Sequence, residues 1–263
     1  MAKALPSPCG PMRSQYRHHP RLGRVDFPYY PDKEKDQDMT YLKEKLGIPR
    51  SAWLVLALLA ATAAAAATAQ EPRYGHHLLY NQVVDGDTGV VSQVFDAKHA
   101  KLNSAGADDF VIPAGNVWRV KVLNIVGGYT YPNGPATSEN VIFYRDKNGK
   151  PGKPVANGSY LGIVGSDVEG EFYIVLPPPG LRLKAGTYWL SVQANMDYKS
   201  GYWAWNSGTV TQGQSGNPAV WENPANGFHT GCRKFTVETQ CWPDGQGPGK
   251  YFAIYGGDKT VAE

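Results

Sequence analysis

The chain has almost no helical signal. Outside one alanine-rich run near its start, no dozen-residue stretch sets apolar residues at 3, 4 and 7 spacing behind a cap. That excludes helical bundles and alternating α/β folds. Catalytic signatures are missing too. Gly158-Ser159 and Ser215-Gly216 do not match the G-x-S-x-G nucleophile elbow. His76, His77, His99 and His229 do not have the paired spacing of a zincin helix. There is no phosphate-binding loop and no internal repeat of 20–50 residues. Of the 26 Lys/Arg and 23 Asp/Glu, ten and six fall in residues 1–69, leaving 16 and 17 beyond. The net positive charge therefore belongs to the start of the chain. The rest is near −1, without the basic footprint of a nucleic-acid binder.

Ala52 to Ala69 is an uncharged run preceded by Lys43, Lys45 and Arg50. Ala67-Thr68-Ala69 fits a signal-peptidase site, with Gln70 as the new N-terminus. The competing reading is a retained signal anchor. Eighteen residues at about 1.5 Å each reach roughly 27 Å, barely a membrane span. We read residues 39–69 as this apolar leader helix. Residues 1–38, with six prolines and no apolar period, read as disordered and as an over-extended gene start. Residues 70–263 then form one secreted domain. Only Cys232 and Cys241 lie in it, and an exported chain favours their pairing as a disulfide.

Glycine and proline break this domain every ten or so residues, which is the spacing of an all-β sandwich or barrel. The predicted strands are His76 to Val84, Gln93 to Phe95, Ala107 to Pro113, Val117 to Val126, Asn140 to Arg145, Ser159 to Val164 and Glu171 to Leu176. Three more are Thr187 to Ala194, Tyr202 to Trp205 and Ala219 to Glu222, and Tyr251 to Tyr255 closes the chain. Asp85-Gly86-Asp87, Ala114-Gly115 and Ala185-Gly186 read as turns, and a bulge is expected near Asn124. Lys150 to Pro154 reads as chain held off the sheet. In Thr187 to Ala194 the period is two: Tyr188, Leu190, Val192 and Ala194 share a dry face, with Trp189, Ser191 and Gln193 opposite. The expected architecture is an antiparallel, jelly-roll-like β-sandwich.

The segments ADDFVIPAGNVWRVKVL, FYRDKNGKPG, LKAGTYWLSVQA, WAWN and AVWENPANGF with a following Cys occur in that order between Ala107 and Trp242. That order resembles a family of exported bacterial β-sandwich domains. The resemblance implies a secreted jelly-roll-like module, sometimes appended to other exported proteins. The family offers no agreed active site, so it transfers no catalytic residue.

Two functional classes fit this chain. One is a non-catalytic structural or interaction module in the envelope or outside the cell, partnered by envelope proteins. The other is a carbohydrate-binding module that takes polysaccharide on an aromatic face. Trp203 and Trp205 stand roughly 6.6–6.8 Å apart on one side of a strand, and Trp189 alternates with Ser191 and Gln193. Flat rings beside polar side chains suit sugars, yet aromatic pairs also fill sandwich cores. Trp189, Gln193, Trp203 and Trp205 are thus candidate ligand contacts. A secreted hydrolase is the weaker third class, with Glu169, Glu171 and Glu222 as carboxylates in principle. No cofactor is expected. Asp85 and Asp87, with Asp108 and Asp109, are weak candidates for structural calcium: the loop lacks the bidentate glutamate of an EF-hand. The expected location is periplasmic or extracellular, and the membrane enters only through an uncleaved leader.

Overall fold

A computed structural model describes residues 76–130, 134–213, 216–243 and 247–260, with the backbone alone at 87, 259 and 260. The expectations for residues 1–38, for the leader and for the Ala69–Gln70 junction lie outside these residues, as does the Asp87 side chain.

The fold is all-β. In order the strands are β1 (His77–Val91), β2 (Gln93–Val94), β3 (Ala105–Ile125), β4 (Gly127–Tyr129), β5 (Ser138–Asp146), β6 (Pro151–Ile163) and β7 (Ser166–Val168). They continue with β8 (Glu171–Val175), β9 (Leu181–Asn195), β10 (Trp203–Gln212), β11 (Val220–Glu222), β12 (Thr236–Val237), β13 (Gly249–Lys250) and β14 (Phe252–Thr260). Short 3₁₀ turns cover Ala97–Leu102 and Tyr198–Ser200, and one helical turn, α1, covers Glu238–Cys241. The strands hydrogen-bond into one sheet with the central path β13-β10-β1-β14-β3-β9-β5-β6. Pairing is antiparallel except between β2 and β9. β1 curls the sheet: its first half pairs β14 and its second half pairs β10.

Three expected turns are strand. β1 runs on through Asp85 to Thr88, where a register shift absorbs the extra residues against β10. β3 runs through Ala114-Gly115, and β9 through Ala185-Gly186. There the register jumps between Ile112 and Val117 while Gly115 and Gly186 take positive φ. Glycine here relieves a bulge rather than ending a strand. The irregularity expected at Asn124 falls at Lys121 instead, between Tyr255↔Val122 and Gly256↔Val120. Lys150 to Pro154 is not held off the sheet. Pro151 and Pro154 pair Asp146 and Tyr144 in β6, an edge strand, where a missing N–H is tolerated.

The dry face expected of β9 is correct. Tyr188, Leu190, Val192 and Ala194 enter the main core with Phe110, Leu123, Phe143, Phe172, Trp203, Trp205 and Phe252. The opposite face of β9 is covered as well. Trp189 forms a second small core with Ala107 and Val220, flanked by Tyr144 and Phe235. The cover comes from the loop-rich segment 219–242, which the Cys232–Cys241 disulfide ties together. That disulfide packs with Val90, Trp221, Phe228 and Trp242.

Candidate functional site

The three tryptophans proposed as ligand contacts are interior. Trp189, Trp203 and Trp205 are fully buried. Each indole N–H has an internal acceptor. Trp189 Nε1 donates to Asp146 Oδ1 at 2.9 Å, Trp203 Nε1 to the Gly170 carbonyl at 2.8 Å, and Trp205 Nε1 to the Tyr251 carbonyl at 3.0 Å. Trp203 stacks on Phe172 and Trp205 meets Phe252 edge-on. They offer no ring face to a ligand: Trp203 and Trp205 lie within the main core, and Trp189 lies under Val220 and Phe235. Gln193 is half-buried, and its Nε2 donates to the Ser104 carbonyl at 2.7 Å.

An aromatic surface exists elsewhere, where the two 3₁₀ turns meet. Asp96 caps the first turn through the Lys98 N–H. Its carboxylate also accepts from the Tyr198 N–H at 3.0 Å and from His99 Nδ1 at 2.9 Å. These bonds, the Tyr198 N–H foremost, hold Asp96 down at about 2. The tie brings the His99 ring parallel to Tyr198, with centroids 4.2 Å apart. Tyr198 meets Tyr202 at right angles, Tyr202 approaches Phe228, and Phe95 backs both tyrosines. Tyr198 is 41% exposed. In the sequence this stretch reads as a turn, and its link to Asp96 spans 102 positions. Only the tyrosines flanking Lys199-Ser200-Gly201 gave a local hint.

A second exposed feature crosses the sheet. Leu78 pairs Tyr255, Tyr255 pairs Val122, and Val122 pairs Val175. Paired residues share a face, so β1, β14, β3 and β8 carry one apolar row, in which Val122 is buried between its neighbours and Tyr255 is half-buried. Leu78 is 55% exposed and Val175 53% exposed at its two ends, and Tyr173 beside Val175 is 45% exposed. Leu161, Val164 and Val168, in β6, the following turn and β7, are exposed too.

The carboxylates gather in no single cleft. Glu171 lies at the β8 end of β3, where its Oε1 accepts from Asn124, and Glu169 is in the preceding turn. Glu222 pairs Ala105 at the other end of β3. Asp108 and Asp109 are directed at protein donors. Asp108 accepts from Gln82 Nε2, the Lys250 N–H and the Asp109 N–H. Asp109 accepts from the backbone and side chain of Asn217. Asp85 is exposed on β1. Among the described residues, no three His, Cys, Asp or Glu converge as metal ligands.

No family model, curated protein or solved structure matches the chain.

Proposed function

We propose that the chain is an exported, non-catalytic β-sandwich module of jelly-roll type, with a structural or interaction role in the envelope or outside the cell. The observation that carries this is the outer apolar row Leu78–Tyr255–Val122–Val175. Leu78 and Val175 are exposed at the two ends of the row, with Tyr173 exposed beside Val175 and Tyr255 half-buried between them. Such apolar area is of the kind that buries against another protein. Export rests on the apolar run and on the small residues before Gln70. The test compares envelope fractions carrying wild-type protein with fractions carrying Leu78→Lys/Val175→Lys. Release of the folded double variant into the soluble fraction supports docking through the row. Unchanged retention of the variant removes the row as the contact surface.

A second reading, carbohydrate binding, is favoured by the exposed Tyr198 ring stacked on His99. A ring fixed by Asp96 beside polar groups is a platform for a sugar face. A glycan array on residues 70–263 tests it. Binding lost in Tyr198→Ala supports the platform, whereas binding by neither protein dismisses it.

A further inference from the structure

Three polar side chains from three elements meet deep inside the fold: Ser207 of β10, Glu238 at the start of α1 and Lys250 of β13. All three are fully buried. Lys250 Nζ lies 2.5 Å from Glu238 Oε2. It also donates to Ser207 Oγ at 2.7 Å, and Ser207 Oγ donates to Glu238 Oε1 at 2.6 Å. The backbone fixes this triangle. Ser207 and Lys250 are register partners. Ala219 ties the other two elements together: its carbonyl accepts from the Glu238 N–H, and its N–H donates to the Pro248 carbonyl. The Lys250 stem runs past Gly106, with Cε 3.4 Å from where a Cβ would stand, and the Trp205 ring lies 5.9 Å from Nζ.

A buried ion pair is one occupant of such a site, but desolvation works against it. Burial lowers Lys250 and raises Glu238, each toward its neutral form, against the attraction between them. A neutral amine and a neutral carboxylic acid, held in contact and shielded from water, are the two reactants of an amide condensation. Holding reacting groups in contact supplies most of what a bimolecular encounter lacks, and exclusion of water protects the product from hydrolysis.

We infer that Lys250 Nζ and Glu238 Cδ join as an intramolecular amide, with Ser207 as the proton relay. The Nζ lone pair forms the bond to Cδ. One Nζ proton passes to Ser207 Oγ as Ser207 gives its own to Glu238 Oε1. The tetrahedral carbon then carries two hydroxyls. It collapses to a carbonyl by breaking one C–O bond and releasing one water. Nitrogen keeps its last proton as the amide N–H, and no oxidant or reductant takes part. The link staples β13 to α1 and so anchors the segment that covers Trp189. Unlike the neighbouring disulfide, it survives reducing agent. The inference does not depend on the interaction or carbohydrate readings.

Trypsin tests this on the full-length protein after reduction and denaturation. Between Lys234 and Lys250 no other Lys or Arg occurs, and the next is Lys259. The amide blocks cleavage at Lys250. The expected product is therefore Phe235–Lys259, lighter by one water, with no fragment ions from inside the ring that Glu238 and Lys250 close. A linear Phe235–Lys250 peptide at full mass overturns the inference, as does a missed cleavage without loss of water. Ser207→Ala, checked for folding by circular dichroism, should accumulate the linear peptide, and Ser207→Thr should restore the linked one. A folded Ser207→Ala protein that links as fully as wild type removes the relay role.

Discussion

Trp203 occupies the space that a side chain on Gly127 would need. A Cβ built on Gly127 would stand 2.5 Å from Cζ2 of that indole and 2.7 Å from the Ala204 carbonyl oxygen. The two residues belong to paired strands, with Trp203↔Tyr129 and Trp205↔Gly127 in register. Glycine is therefore required here for close approach. Gly127→Ala should cost about 1–3 kcal/mol through overpacking, read as a lower urea midpoint with unchanged m-value. An unchanged midpoint would mean the indole has room to move aside.

Truncation of the indole tests the same packing from the other side. Phe172 stacks on Trp203 at 4.7 Å, and the indole N–H is bonded to Gly170. Trp203→Ala should cost about 3–5 kcal/mol. A loss below about 1 kcal/mol by chemical denaturation would show that the ring is not part of the core.

The Cys232–Cys241 bond closes a short loop, for which the chain-entropy model gives about 2–3 kcal/mol. Both cysteines are buried against Trp221, Phe228 and Trp242. The pair should resist labelling in unreduced, denatured protein and react only after reductant. The double Cys→Ser variant should melt earlier, with the change in hydrogen exchange concentrated in 219–242. Label on Cys232 or Cys241 in the untreated protein, located by peptide mapping and so distinguished from Cys9, would contradict the bond.

What the sequence shows and what it hides divide along physical lines. Period-two alternation identified the β9 core face, because Tyr188, Leu190, Val192 and Ala194 report their own burial. It did not reveal that Trp189 is also interior. That burial comes from Val220 and Phe235, some thirty to forty-six positions on, in a segment with little regular structure. Local glycines at 86, 115 and 186 suggested turns, while long-range pairing carried the strands through them as bulges. The Asp96–Tyr198 contact and the Ser207–Glu238–Lys250 triangle join residues distant in the chain. Neither leaves a spacing motif. The disulfide was legible because only two cysteines lie beyond residue 69.

The last prediction concerns pH. Asp108 is buried beside Asp109, and burial pushes its carboxyl from the ordinary 3.8 up to about 8. Its three N–H donors favour the anion but do not offset the loss of water. Below about pH 4 the group is protonated in both folded and unfolded chains. Above that the unfolded chain ionises while the folded one stays neutral. Stability therefore falls as pH rises, and the loss levels off near pH 8. The slope from this one group approaches about 1.4 kcal/mol per pH unit in the middle of the window. Asp109, Glu139 and Glu222 are raised by burial too and act in the same sense. His76 is lowered, so its contribution falls on acidification and opposes the trend. A comparison with Asp108→Asn isolates the one group, since the variant does not titrate. Urea midpoints from about pH 5 to about pH 8 should fall more steeply for wild type than for the variant. Parallel profiles would mean that Asp108 is already ionised in the fold, its charge held by Gln82 and the Lys250 and Asp109 N–H groups.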